Sequence, residues 1–96
     1  MIGYVDKIIT EADVWSDAIE IQDFFNISVV LSDVKCATVT LQRSFDNGVI
    51  WKDYKTYTVS TEAWLDGTER KALYRIGVKA EQHAGQGTTA TVRISF

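Results

Sequence analysis

The residues with types and spacing suited to chemistry fall into a few short sets. The octet Ser44-Phe45-Asp46-Asn47-Gly48-Val49-Ile50-Trp51 sets a hydroxyl, a carboxylate and a glycine at alternate positions ahead of a tryptophan. That order would suit a catalytic or ligand loop, or a turn whose side chains cap its own backbone. His83 is the sole imidazole and follows Glu81 by two residues in the loop EQHAGQG. Metal ligation would require further ligands at a suitable spacing, and a His in a polar, Gly-rich loop is ordinarily solvated. Glu62, Asp66 and Glu69 would be acid/base carboxylates if two of them faced one substrate. They surround an Asp66-Gly67 turn signal, where solvated charge is ordinary. Gly85-Gln86-Gly87 is too short to cradle a phosphate and opens no expected helix. Cys36 is the only cysteine, which rules out an internal disulfide and a Cys-pair zinc motif, and reads as a small buried hydrophobe. Asn26-Ile27-Ser28 fits a glycosylation sequon, which has meaning only in a secreted chain. No catalytic residue, metal ligand or cofactor is expected.

Elements that would position these sets are mostly strands. The chain of 96 residues, 46% hydrophobic with three Trp, four Tyr and four Phe, has material for one modest core, and a single domain over 1–96 is expected. Val39 and Leu41 alternate with Thr38, Thr40 and Gln42; Tyr74, Ile76 and Val78 with Arg75, Gly77 and Lys79; and Val92, Ile94 and Phe96 with Arg93 and Ser95. This is the two-residue period of half-buried strands. Strands are also expected over 2–9, 25–31 and 49–59. In the last of these, mixed parity around Asp53 predicts a bulge. Segment 60–71 reads as a short strand, Ala63-Trp64-Leu65, and a loop. Thr10-Glu11-Ala12-Asp13 resembles a helix capping box, with Val14, Ala18, Ile21 and Phe25 at helical spacing, yet Ala18 to Ile21 also suits a strand, and extended structure is the favoured reading. Six to eight short strands without proline predict an all-β antiparallel sandwich of Ig-like or Greek-key type, or a small barrel.

Charge divides along the chain. Residues 1–34 carry seven acids against Lys7 alone, a net of −6, and residues 35–96 carry +3. Glu11, Asp13, Asp17 and Glu20 would then form an acidic interface for a basic partner or the basic part of a second copy. The overall net charge of −3 gives no case for nucleic acid. The longest wholly apolar runs, such as Val29-Val30-Leu31, are far below the roughly 20 residues of a membrane span, so no membrane partner is expected. MIGYVDK shows no signal peptide and places Gly3 one position late for myristoylation, so synthesis in a cytoplasm is expected.

The octet lies between strands 36–45 and 49–59, as a hairpin connection does. Asp46 is expected to accept a hydrogen bond from the N–H two residues on, Asn47 to take positive φ, Gly48 to take a left-handed position, the Ser44 hydroxyl to hold a loop N–H, and Trp51 to fold over the turn. With Ile50 in place of Thr, the octet resembles the Asp-box, the S-x-D-x-G-x-T-W turn of sialidases and other β proteins. The resemblance implies a structural hairpin away from any active site.

A longer stretch carries a second resemblance. ATVTLQRSFDNGVIWKDYKTYT, residues 37–58, looks like the core phrase T-V-T-L-Q-R-S-F-D-G-G-x-T-W-x-D-V of small virion structural proteins of tailed bacteriophages. YRIGVK at 74–79, TATVRIS at 89–95 and FNISV at 25–29 resemble other parts of the same proteins, in the same order. Asn47, Ile50 and Tyr54 depart from the phrase, as do the acidic first third and the enlarged loop at 80–87. The resemblance implies an accessory structural role in the virion, as a capsid decoration or cement protein or a small piece of a fibre or of the head-to-tail region, partnered by the major capsid protein or other virion subunits. A soluble oligomer, dimer or trimer, is expected. The competing expectation is a carbohydrate-binding module of a phage appendage, with Trp15, Tyr54, Tyr57 and Trp64 as stacking rings.

Overall fold

The computed structural model describes residues 3–33, 37–66, 72–83 and 88–96, with the backbone alone over 80–83. Among these residues nine strands form: β1 (Tyr4–Ile9), β2 (Val14–Trp15), β3 (Ile19–Ile21), β4 (Phe25–Leu31), β5 (Ala37–Ser44), β6 (Lys52–Tyr57), β7 (Thr61–Leu65), β8 (Ala72–His83) and β9 (Ala90–Ser95). The first sheet has the order β1-β9-β4-β7. The second has β2-β8-β5-β6, with β3 also pairing β8. All pairings are antiparallel. If β2 and β3 are counted as one interrupted strand, the eight strands follow the order of a double Greek-key jelly roll. The result is an open two-sheet sandwich, and the closed small barrel does not form.

The segment that could have been a helix is extended. Asp13 takes a φ of 61° just before β2, and Val14 and Trp15 pair with Val78 and Gly77. The ladder then breaks and resumes at Ile19 opposite Tyr74. Ser16 bridges the break: its N–H donates to the Ile76 carbonyl (2.9 Å), and its hydroxyl accepts from the Ile76 N–H (3.1 Å). These bonds satisfy backbone groups that a helix would have paired internally.

Strand alternation builds the core. Phe25, Ile27 and Val29 from β4 and Val92 and Ile94 from β9 face Val39 and Leu41 from β5 and Tyr74, Ile76 and Val78 from β8, all essentially fully buried. Phe25 and Tyr74 join the layers with ring centres 4.7 Å apart. The same register puts Lys7 opposite Val92, on the inward side of edge strand β1, where it remains exposed. An inward charge on an open edge discourages addition of a foreign strand.

The jelly-roll order also sorts the loops. The β3–β4 turn and the β5–β6 hairpin lie at one end, beside Phe25, Tyr74 and Arg43. The β1–β2 and β6–β7 connections lie at the other.

Candidate interaction surface

The hairpin is built from the octet's own side chains. The Ser44 hydroxyl accepts from the N–H groups of Gly48 (2.9 Å) and Asp46 (3.4 Å) and donates to Asp46 Oδ1 (2.7 Å), which also accepts from the Ile50 N–H (2.9 Å). Asp46 therefore reaches four residues on rather than two. Asn47 and Gly48 both adopt positive φ, 61° and 88°, and carry the chain round until the Ile50 N–H returns to the carboxylate. Donation from Ser44 first, and from Ile50 second, holds the Asp46 carboxyl below its ordinary range. Val49 and Ile50 belong to the turn, so β6 starts at Lys52. The bulge expected near Asp53 is present: Leu41 pairs with Lys55 and Gln42 with Asp53, leaving Tyr54 as the extra residue.

Trp51 folds back over the turn, and a Cβ on Gly48 would lie 3.7 Å from its Cζ2. It also covers the outer face of the second sheet. The Arg75 guanidinium carbon lies 4.4 Å from the ring centres of both Trp51 and Trp15, a cation held between two indoles. Its Nε donates to Gln42 Oε1 (2.9 Å), Gln42 Nε2 donates to Asp53 Oδ1 (2.9 Å), and Lys79 pairs with Asp53 Oδ2. Burial pulls the Arg75 pKa down from its ordinary value, and Asp13 partly opposes the shift. Lys79 first, then Gln42, hold the Asp53 carboxyl low. Trp15 packs closely on Gly77, where an added Cβ would come within 2.3 Å of the Val14 carbonyl and 2.7 Å of Trp15 Cα. Consequently Thr40, Gln42 and Ser44, which point outward, are only 1%, 7% and 2% exposed. This outer face is sealed by the protein itself.

The outer face of the first sheet is organised differently. Register sets Tyr4, Ser95, Asn26 and Trp64 in one cross-strand row, Asp6, Arg93, Ser28 and Glu62 in the next, and Ile8, Thr91 and Val30 in a third. Tyr4, Ile8, Val30 and Trp64 are 61%, 67%, 54% and 73% exposed. Between them Arg93 lies over the Tyr4 ring (4.8 Å) and 3.6 Å from Asp6. Apolar groups flank a polar centre, with no layer above them among the described residues.

The four candidate stacking aromatics do not converge. Trp15 is half-buried over Gly77 and Arg75. Tyr54 is half-buried against Tyr74 (6.4 Å) and beneath Arg43 (4.0 Å). Tyr57 packs at the core margin, where burial pushes its hydroxyl pKa up. Only Trp64 projects freely, on the opposite sheet. Glu11, Asp13, Asp17 and Glu20 are all exposed and follow the β2–β3 edge of the second sheet from one end to the other.

Glu62 and Asp66 share a strand parity and stand roughly 13 Å apart along extended chain, beyond the separation of a glycosidase carboxylate pair. Among the described residues no group of three or more His, Cys, Asp or Glu side chains is placed to hold a metal ion. Cys36, Glu69, the 85–87 segment and the side chains of Glu81 and His83 lie outside the described residues. Among the described residues no helix is long and apolar enough to cross a membrane.

Sequence reasoning missed the Trp15–Arg75–Trp51 stack and the chain from Arg75 through Gln42 and Asp53 to Lys79. Their signal was the outward parity of Gln42, Arg75, Gly77 and Lys79 on neighbouring strands. Comparison with family models, with curated proteins and with solved structures gives no match.

Proposed function

We propose that this protein is a non-enzymatic structural subunit of a tailed-bacteriophage virion, a capsid decoration or accessory protein made in the host cytoplasm. It would bind the major capsid protein or other virion subunits through repeated modest interfaces. The observation that carries the reading is the asymmetry of the sandwich, with one outer face sealed by its own side chains and the other presenting Tyr4, Ile8, Val30 and Trp64. An open apolar face rimmed by polar groups is suited to docking on another protein.

Two further points support it. The phage-like phrase at 37–58 coincides with one complete unit, β5, its self-capped hairpin and β6. The jelly roll recurs in viral capsid domains, and equally in lectins and cupins, so that support is analogy at the level of fold. On a symmetric shell, contacts that are individually weak become long-lived once copies also touch each other, because each later contact forms at high effective concentration.

The experiment is co-sedimentation of labelled protein with gradient-purified particles of the phage that encodes it. Stable association that weakens for Trp64→Thr supports the reading, and absence of the protein from those particles would falsify it. The appendage reading retains Trp64 and Tyr4, the exposed rings of one cross-strand row. Glycan binding by the isolated protein, lost in Trp64→Thr, would favour it instead.

A further inference from the structure

We infer that the hairpin end of the sandwich is the docking surface for a second copy of this chain, in a two-fold, end-to-end arrangement. The apolar part of that end comes from Phe24 on the β3–β4 turn and from Phe45, Val49 and Ile50 on the hairpin, all exposed. Strand parity explains Phe24: Phe25 enters the core at β4, so its neighbour must point out.

Beside the hairpin lies a groove of about 460 Å³ lined by Arg43, Phe45, Asp46, Ile50, Lys52 and Asp53. Its charges are unequal in availability. Asp53 is matched by Lys79, and Asp46 is held by Ser44 and the Ile50 N–H. Arg43 lies over the rings of Tyr54 and Phe45 and has no carboxylate partner among the described residues, and neither does Lys52. The groove thus offers an apolar slot between Phe45 and Ile50 with two available cations at its rim.

An occupant with an exposed aromatic ring next to a carboxylate would match it, and the chain presents one in Asp23-Phe24. Ring and groove are at the same end of the molecule. A two-fold axis through that end therefore lets the Asp23-Phe24 corner of each copy enter the groove of the other, a closed isologous contact. Phe24 would sit between Phe45 and Ile50, and Asp23 would face Arg43 and Lys52. The sandwich measures 38 × 26 × 17 Å, and the twelve residues of β8 account for the long axis, so an end presents only the two smaller dimensions. So small an area belongs with weak interfaces, and a dissociation constant of roughly 10 μM to 1 mM is expected. Such a contact would pair copies mainly where they are concentrated, and its existence does not depend on the particle-binding face.

Sedimentation velocity of the full chain over a concentration series tests this. Wild type should shift from monomer to dimer, and Phe24→Ser should weaken dimerisation by about tenfold or more with an unchanged melting curve. Asp23→Lys and Lys52→Glu should each be monomeric alone but form heterodimers when mixed, because both contacts of the mixed pair are then complementary. A wild-type monomer at the highest concentration, or a dimer indifferent to Phe24→Ser and to mixing, would overturn the inference. A monomer that still binds particles would sink the dimer and leave the virion reading standing. A dimer that never binds particles would do the reverse.

Discussion

The two outer faces of this sandwich use the same kinds of residue to opposite ends. On the second sheet Trp15, Trp51, Arg75, Gln42 and Asp53 satisfy one another, and Thr40 and Ser44 are buried beneath them. On the first sheet Tyr4 and Trp64 stand in one row and Ile8 and Val30 in another, with a polar row between, and their apolar area stays in water. Aromatic content therefore says little about binding. What distinguishes the faces is how closely the rings are held: Gly77 lets Trp15 pack against the backbone of β8 and Arg75 serves both indoles, whereas Arg93 meets only Tyr4 and leaves it exposed.

Substitutions in the sealed face should be the most damaging. Gly77→Ala forces a Cβ against the Val14 carbonyl and the Trp15 backbone, which have no room to retreat without parting β2 from β8. A loss of about 3 kcal/mol in urea unfolding is expected. Arg75→Ala removes the cation from between the indoles and leaves Gln42 Oε1 without its donor. It should cost about 2 kcal/mol and move tryptophan emission to the red.

A smaller change is expected beneath that face, in the core. The Tyr74 hydroxyl is buried with no hydrogen-bond partner among the described residues. Tyr74→Phe should therefore be neutral or stabilising by up to about 1 kcal/mol, where deletion of a satisfied hydroxyl would destabilise. The pH response is smaller again. Asp46 and Asp53 have folded pKa values below the ordinary 3.8, so their contribution is fully present above that value and is lost as pH falls through the lowered values. Acid unfolding monitored by circular dichroism should show a shallower dependence below about pH 4 in Asp53→Asn than in wild type. The Asp53–Lys79 pair is partly exposed, so the difference is worth a few tenths of a kcal/mol. In the open face, Ile8→Thr and Trp64→Thr should leave stability within about 0.5 kcal/mol while reducing particle binding.

The contrast also shows what the sequence made legible. Strand alternation located the inward residues of β4, β5, β8 and β9, since burial on one face writes a period of two into the chain. The octet specified its hairpin because Ser44, Asp46, Asn47 and Gly48 act on backbone within a few residues of themselves. A bulge near Asp53 was recognisable because parity fails there, and the structure makes Tyr54 the extra residue. The sealed face was hidden for the opposite reason. Trp15 and Arg75 are sixty residues apart in sequence, and only the pairing of β2 with β8 and of β8 with β5 brings Trp15, Arg75 and Gln42 together. Strand order, which one sequence does not state, turned three of the expected stacking aromatics into packing and left Trp64 outside.

Under the proposed virion role, electron microscopy of particles of the phage that would encode this chain, at a resolution that distinguishes the two sheets, tests the docking face most directly. The expected density is a jelly roll bound to the virion with Tyr4, Ile8, Val30 and Trp64 of the first sheet against another subunit and the Trp15–Arg75–Trp51 face toward solvent. Particles without that density, or a subunit bound through the sealed face with the first sheet outward, would contradict this expectation.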